Sequence, residues 1–210
     1  MTASASKSVM PVPFGQFAAL MRTPVLPTPQ QLFDYQVETL VGHKLAKYEE
    51  ADRFRNHLMV GAFLFVPAHP KLDNATLEQL MALIVINGKS GKNYLDADYL
   101  KDEVAIPTNA HLMVSVEDGN ARRNIRPSDN RKAILAEGRQ PYNVWRGIVH
   151  VLYFPEVLQH HYLDLVASRC ESGRWPSLFL YGGQPGLGAV WDDEAYSKWG
   201  TPSCGSVVGG

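Results

Sequence analysis

The sequence predicts an α+β fold with a mostly antiparallel sheet, and three features of its pattern predict it. Helical periodicity gathers in the first and middle parts of the chain. Short apolar runs bounded by Gly and Pro fill the centre and the C-terminal end. The two never settle into the regular strand–helix alternation that builds a doubly wound parallel sheet. The expected architecture is one domain, N-terminal helices followed by the sheet, with helices packed on one face of it.

Residues 1–28 contain Pro11, Pro13, Pro24 and Pro27, several Ser and Thr and no acid, so they read as an extended arm. Phe14, Phe17, Leu20 and Met21 fall on one helical face within it, which would let the arm dock on its own domain or on a neighbouring subunit. The α+β domain is expected over 29–206, with 207–210 as a short flexible tail. Thr28-Pro29-Gln30-Gln31 combines an N-cap, a proline at the first helical position and a glutamine placed to complete a capping box. Phe33, Val37, Leu40, Val41, Leu45 and Tyr48 then recur at helical spacing, with Gly42 as a break before a second piece that runs to Leu58.

Val60 to Val66 reads as a buried strand stopped by Pro67, Thr76 to Leu83 as a helix and Ile84 to Ile86 as a strand before the turn-rich Asn87 to Asn93. His111 to Val116 is a strand that breaks at Glu117-Asp118-Gly119. Ser128 is expected to cap a helix to about Glu137, stopped by Gly138, and a second helix is expected from near Pro141 to Phe154. Leu163 to Ser168, Ser177 to Tyr181 and Leu187 to Trp191 complete the strands.

Composition narrows the function classes. With 45% hydrophobic and 20% charged residues the 210-residue chain is of globular type and long enough for a substantial core. Twenty Lys and Arg against 21 Asp and Glu give a net charge of −1, which is not the electrostatic footprint of a nucleic-acid or anionic-membrane binder. The longest apolar run falls far short of the roughly 20 residues that cross a bilayer, and the N-terminus carries no apolar signal segment. A cytoplasmic location is therefore expected, in keeping with only two cysteines, Cys170 and Cys204.

The chemical motifs mostly fail on inspection. Asn87 to Lys92 contains Gly-Lys-Ser, but Leu83 stands where a phosphate-cradling loop needs its first glycine. Gly183 to Gly188 lacks dinucleotide-loop spacing and leads into a strand, so a hairpin turn is expected there. His160-His161, even with His150 nearby, is a poor chelate because adjacent residues point in different directions. Asp192, Asp193 and Glu194 read as a solvated turn. Cys170 has Arg169 and Arg174 beside it, which would favour a thiolate nucleophile with an acid such as Glu156 in the same cleft; a small buried core cysteine is the competing reading. No catalytic residue is assigned, and no cofactor.

Six segments, taken in order, resemble an uncharacterised, bacterial-type domain-of-unknown-function family. They are Val114 to Gly119 (VSVEDG), Ala136 to Arg139 (AEGR), Phe154 to Leu158 (FPEVL), Ala167 to Cys170 (ASRC), Pro176 to Leu178 (PSL) and Gly200 to Cys204 (GTPSC). The likeness covers roughly residues 30–206 and implies no established activity. The family pattern has a cysteine where this chain has Val190 and a histidine where it has Tyr196. With Cys170 and Cys204 the family positions would make a soft-ligand zinc site, of which this chain keeps the two thiols, too few to hold the metal. No metal is expected.

The preferred functional expectation is a non-catalytic binding or protein-interaction module using the C-terminal aromatics Trp191, Trp199 and Tyr196, with Arg169 and Arg174 as further candidate contacts; Trp175 and Tyr181 belong to the same aromatic-rich segment. The alternatives are a thiol enzyme centred on Cys170 and a structural subunit of a larger assembly that reaches a protein partner, or another copy of itself, through the N-terminal arm.

Overall fold

The computed structural model describes residues 27–193 and 195–209. The expected arm, apart from Pro27 and Thr28, lies outside the described residues together with its apolar stripe. Helix α1 (Pro29–Gly42) starts as its first residues dictate. The Thr28 hydroxyl accepts the Gln31 amide at 3.2 Å and the Gln31 side chain accepts the Thr28 amide at 2.9 Å. Phe33, Val37 and Leu40 are buried, and so is Gln36, whose amide bonds Phe63 O at 3.0 Å and Phe65 N at 2.8 Å. Those two bonds fasten α1 to β1 (Phe63–Val66). The second helical piece is shorter than expected, a single turn α2 (Tyr48–Asp52) and a 3-10 turn at Arg55–His57. Val60, 92% exposed, lies outside the strand it was expected to begin.

Helix α3 (Asn74–Leu83) is capped by Asp73 and runs into β2 (Val85–Ile86) and β3 (Lys89–Ser90). Asn87 and Gly88 join that pair with φ of 51° and 76°, the two left-handed positions of a tight hairpin turn. The Gly-Lys-Ser letters are thus one turn residue and one strand. β4 (Lys92–Asn93), β5 (Lys101–Asp102) and β6 (His111–Val114) follow. Helix α4 (Pro127–Ala136) has Arg126 at its N-cap, with Pro127 in the first turn and Ser128 already inside the helix. After β7 (Gln140–Pro141), α5 (Val144–Tyr153) begins at Asn143, not Pro141, because the Asn143 side chain accepts the Arg146 amide at 3.0 Å. The remaining elements are α6 (Val157–His160), β8 (Tyr162–Asp164), β9 (Ser168–Arg169), β10 (Trp175–Tyr181), β11 (Gln184–Val190), β12 (Trp199–Gly200), β13 (Ser203–Cys204) and β14 (Ser206–Val208).

The fold is mixed α+β. A five-stranded sheet in the order β12-β8-β10-β11-β4 is antiparallel at its centre and parallel at both margins; a three-stranded antiparallel sheet runs β1-β6-β14, and three two-stranded ladders link the rest. Helix α5 is buried along its whole length and packs on β1 of one sheet and β10 of the other. Leu163, Leu178 and Leu187 turn the inner face of the larger sheet into this core. The C-terminal strands divide among three sheets instead of closing one. Val207 and Val208, within the segment expected to be a flexible tail, pair with Met113 and Leu112. Among the described residues no helix is long and apolar enough to cross a membrane.

Candidate functional site

Side chains alternate across a strand, so the outer face of the larger sheet follows from its inner one. Trp175, Ser177, Phe179 and Tyr181 of β10 point away from the core, opposite Val190, Gly188, Gly186 and Gln184 of β11. Asp164 of β8 stands opposite Ser177. Three rows result across the strands: Trp175 beside Val190, then Asp164, Ser177 and Gly188, then Phe179 beside Gly186.

The closing segment, residues 191–193 and 195–199, packs against part of this face. Asp192 accepts the Ser128 amide at 2.9 Å in the first turn of α4, where a carboxylate meets the positive end of the helix dipole. Tyr196 and Trp199 pack against a small apolar cluster of Val166, Trp175 and Val190. Trp199 also meets Tyr162 edge-on at 4.9 Å between ring centres. Arg169 is stacked on the Trp175 ring at 3.8 Å. Of the expected binding residues, Tyr196, Trp199 and Arg169 are therefore packed into this cover. Trp191 is 55% exposed, with Arg174 5.4 Å above its ring.

Beside Arg174 a cleft of about 310 Å3 opens on the outer face. Tyr94, Tyr99 and Phe179 are its aromatic walls, Gly188 lies on its floor, and Asp96, Glu171 and Arg174 are its charged rim. Phe179 lies over the glycines of β11: a Cβ on Gly186 would meet its ring at 2.6 Å and one on Gly188 at 2.9 Å. Tyr94 stacks on Phe179 at 6.2 Å with 17° between the planes. The glycines are what let a ring lie flat on a strand.

Cys170 lines this cleft, but the desolvation of its thiol outweighs Arg174 and Arg169 and pushes it up to about 11. Cys204 is fully buried, raised by the same cause, and has Arg146 and Arg139 as its charged neighbours. Both thiols are free, and their surroundings share no charged group. Glu156 lies elsewhere, near Tyr35. Among the described residues no three of His, Cys, Asp and Glu are grouped to hold a metal.

Two polar groupings were not anticipated. Asp164 is fully buried, and neither carboxyl oxygen has a hydrogen-bond partner among the described residues; the same holds for Ser177 Oγ and Trp175 Nε1. Burial, then the nearby Asp192 carboxylate, hold the Asp164 carboxyl well above the usual range. The strand expected over Leu163 to Ser168 is instead β8 (Tyr162–Asp164) and β9 (Ser168–Arg169), and Asp164 sits on the outward face of β8 opposite Ser177.

The second grouping is a stripe on α5 of Asn143, Arg146 and His150. The fully buried Arg146 guanidinium donates to His111 Nε2 at 3.3 and 3.2 Å and to Gln140 Oε1 at 3.2 Å, both neutral groups. His111 donates from Nδ1 to Asn109 O at 2.8 Å, which leaves its Nε2 lone pair for the arginine. Farther along, Tyr142 and His150 lie 5.8 Å apart, and His161 bonds Asp118 O at 2.9 Å. Above them the chain crosses itself. Glu117 and Ser203 exchange backbone bonds of 2.8 and 3.0 Å, and a Cβ on Gly119 would lie 2.9 Å from the backbone of Gly200, Thr201 and Pro202. Arg139 ties the crossing with bonds to Ser203 Oγ at 2.9 Å and Ser115 O at 2.8 Å. Segments that carry the family resemblance thus meet here as a structural clasp.

Fold and surface together define a single α+β domain with an aromatic cleft on the outer face of a mixed sheet. The chain belongs to DUF5701, a family of unknown function, which it matches over residues 27–210. No curated protein and no solved structure matches it.

Proposed function

We propose that the protein is a non-catalytic binding module whose ligand is a small molecule with a flat apolar body, seated between Tyr94, Tyr99 and Phe179 with Trp191 and Arg174 at the rim. The observation that carries this reading is the cleft itself: aromatic walls, a glycine floor and a few charged groups at the mouth are the chemistry of a small-molecule site. Trp191 adds an exposed ring next to Arg174. A thiol held near 11 stays protonated at neutral pH, which favours binding over nucleophilic catalysis at Cys170. The near-neutral charge favours partners other than nucleic acid, and the reading places the protein in the cytoplasm.

Ligand-observed NMR of the full chain against a library of small planar aromatics tests the reading. Hits are expected to bind about tenfold more weakly to Tyr99→Ala, a loss of about 1.4 kcal/mol, with the thermal melt unchanged because Tyr99 is 49% exposed. Hits indifferent to the substitution would place the ligand elsewhere.

A further inference from the structure

Resting on that reading of the cleft, we infer that its inner end receives the head of an organic cation, an ammonium or alkylated ammonium group, taken by the Asp164 carboxyl and the Ser177 hydroxyl and framed by aromatic rings. The row Asp164, Ser177, Gly188 runs from the interior of the sheet to the floor of the cleft. On that row Gly188 contributes no side chain, and the Phe179 ring lies over it, between the cleft and the two buried polar residues.

Neither carboxyl oxygen of Asp164 nor the Ser177 hydroxyl has a hydrogen-bond partner among the described residues, although both side chains are fully buried. A buried polar group left unpaired costs on the order of 1 to 3 kcal/mol, and a ligand that supplies N–H donors recovers that cost. A carboxyl with two open acceptor oxygens beside a hydroxyl oxygen matches an ammonium group. The rings around it match as well: Tyr94 and Tyr162 flank Phe179, Trp199 lies 6.3 Å from Phe179, and the Lys198 ammonium already sits 5.9 Å over Tyr162.

The charged groups of the neighbouring elements are Asp192 and Lys198 in the closing segment, Asp96, Glu171 and Arg174 around the cleft, and Arg169 and Arg131 against Trp175. At the mouth the two carboxylates of Asp96 and Glu171 stand against the single guanidinium of Arg174, which lies over Trp191, so the rim is net negative and draws a cation in. In the free protein burial holds the Asp164 carboxyl well above the usual carboxylate range, which favours its protonated form. An incoming ammonium ion pairs with its carboxylate form, and the displaced proton goes to solvent, so one proton leaves for each cation bound.

Calorimetry on the full chain with phenethylammonium, 2-phenylethanol and phenylacetate separates the claims, since the probes share an aromatic body and differ in the head. Phenethylammonium is expected to bind at least about tenfold tighter than the alcohol, with close to one proton released at pH 7 when the heat is compared across buffers. Asp164→Asn should abolish both the preference and the proton release in a chain at least as stable as wild type at pH 7, and Ser177→Ala should weaken the cation several-fold; should Asp164→Asn not fold, the wild-type proton count and Ser177→Ala decide. If the alcohol or phenylacetate binds as tightly as the cation, and Tyr99→Ala weakens it, the ligand class is wrong and the cleft stands. Cation binding without proton release, or unaffected by Asp164→Asn, overturns the role of Asp164. If no probe binds, both readings fall.

Discussion

His111 and His150 are enclosed by the core, and burial holds each down to about 4. Arg146 opposes protonation of His111, while Asp118 favours that of His150 without offsetting its desolvation. In the unfolded chain both would titrate near 6.5. Between those values the unfolded state binds protons that the folded state refuses, so stability is lost as pH falls from about 6.5 towards 4, at up to about 1.4 kcal/mol per pH unit for each histidine. Urea unfolding at pH 7 and pH 5 should show this fall, and His150→Phe should roughly halve its slope; an unchanged slope would mean that His150 is already charged in the fold. Asp164 works in the opposite direction. Burial raises its carboxyl in the fold above the unfolded value near 4, so its contribution shrinks as pH rises past that value. Asp164→Asn is therefore expected to raise the urea midpoint at pH 7 and to have little effect at pH 4.

Among the elements, α5 is the most constrained. Gly147 faces Leu165 and Leu178 so closely that an added methyl would overlap both side chains. Gly147→Ala should cost about 1 to 3 kcal/mol by overpacking, despite the better helix propensity of alanine, and a melt as stable as wild type would show that the two leucines can yield. Thr28→Ala should cost about 1 kcal/mol by removing one half of the capping box of α1. These helices differ in how far the sequence disclosed them. The start of α1 was legible because the residues that cap it are contiguous. The start of α5, expected near Pro141, falls at the Asn143 cap because Pro141 is paired with Ser203 in β7 and β13, a contact between residues 62 apart. Two-residue strands such as β12 and β13 carry too little pattern to be seen, and their partners alone make them strands.

For the whole molecule, the route of the C-terminal chain matters most. It lends β12 to the larger sheet, β13 to β7 and β14 to β6. Deleting residues 206–210 should strip β14, open the edge of β6 and lower the melting temperature by several degrees, and an unaltered melt would show that the three-stranded sheet stands without it. Gly200→Ala should do more harm, because its methyl would strike the Gly119 carbonyl at the crossing, where backbone cannot move aside.

The sequence by itself determined the α+β class, the start of the first helix, the apolar stretches that became the core, and the failure of the phosphate-loop and dinucleotide-loop motifs, because capping, periodicity and turn chemistry act between residues a few positions apart. Only the tertiary structure brought Tyr196, Trp199 and Arg169 against Trp175, gave Cys170 and Cys204 different charged neighbours, and set Asp164, Ser177 and Gly188 in one row on the outer face. Burial and strand pairing set those outcomes, and both are properties of which distant segments meet.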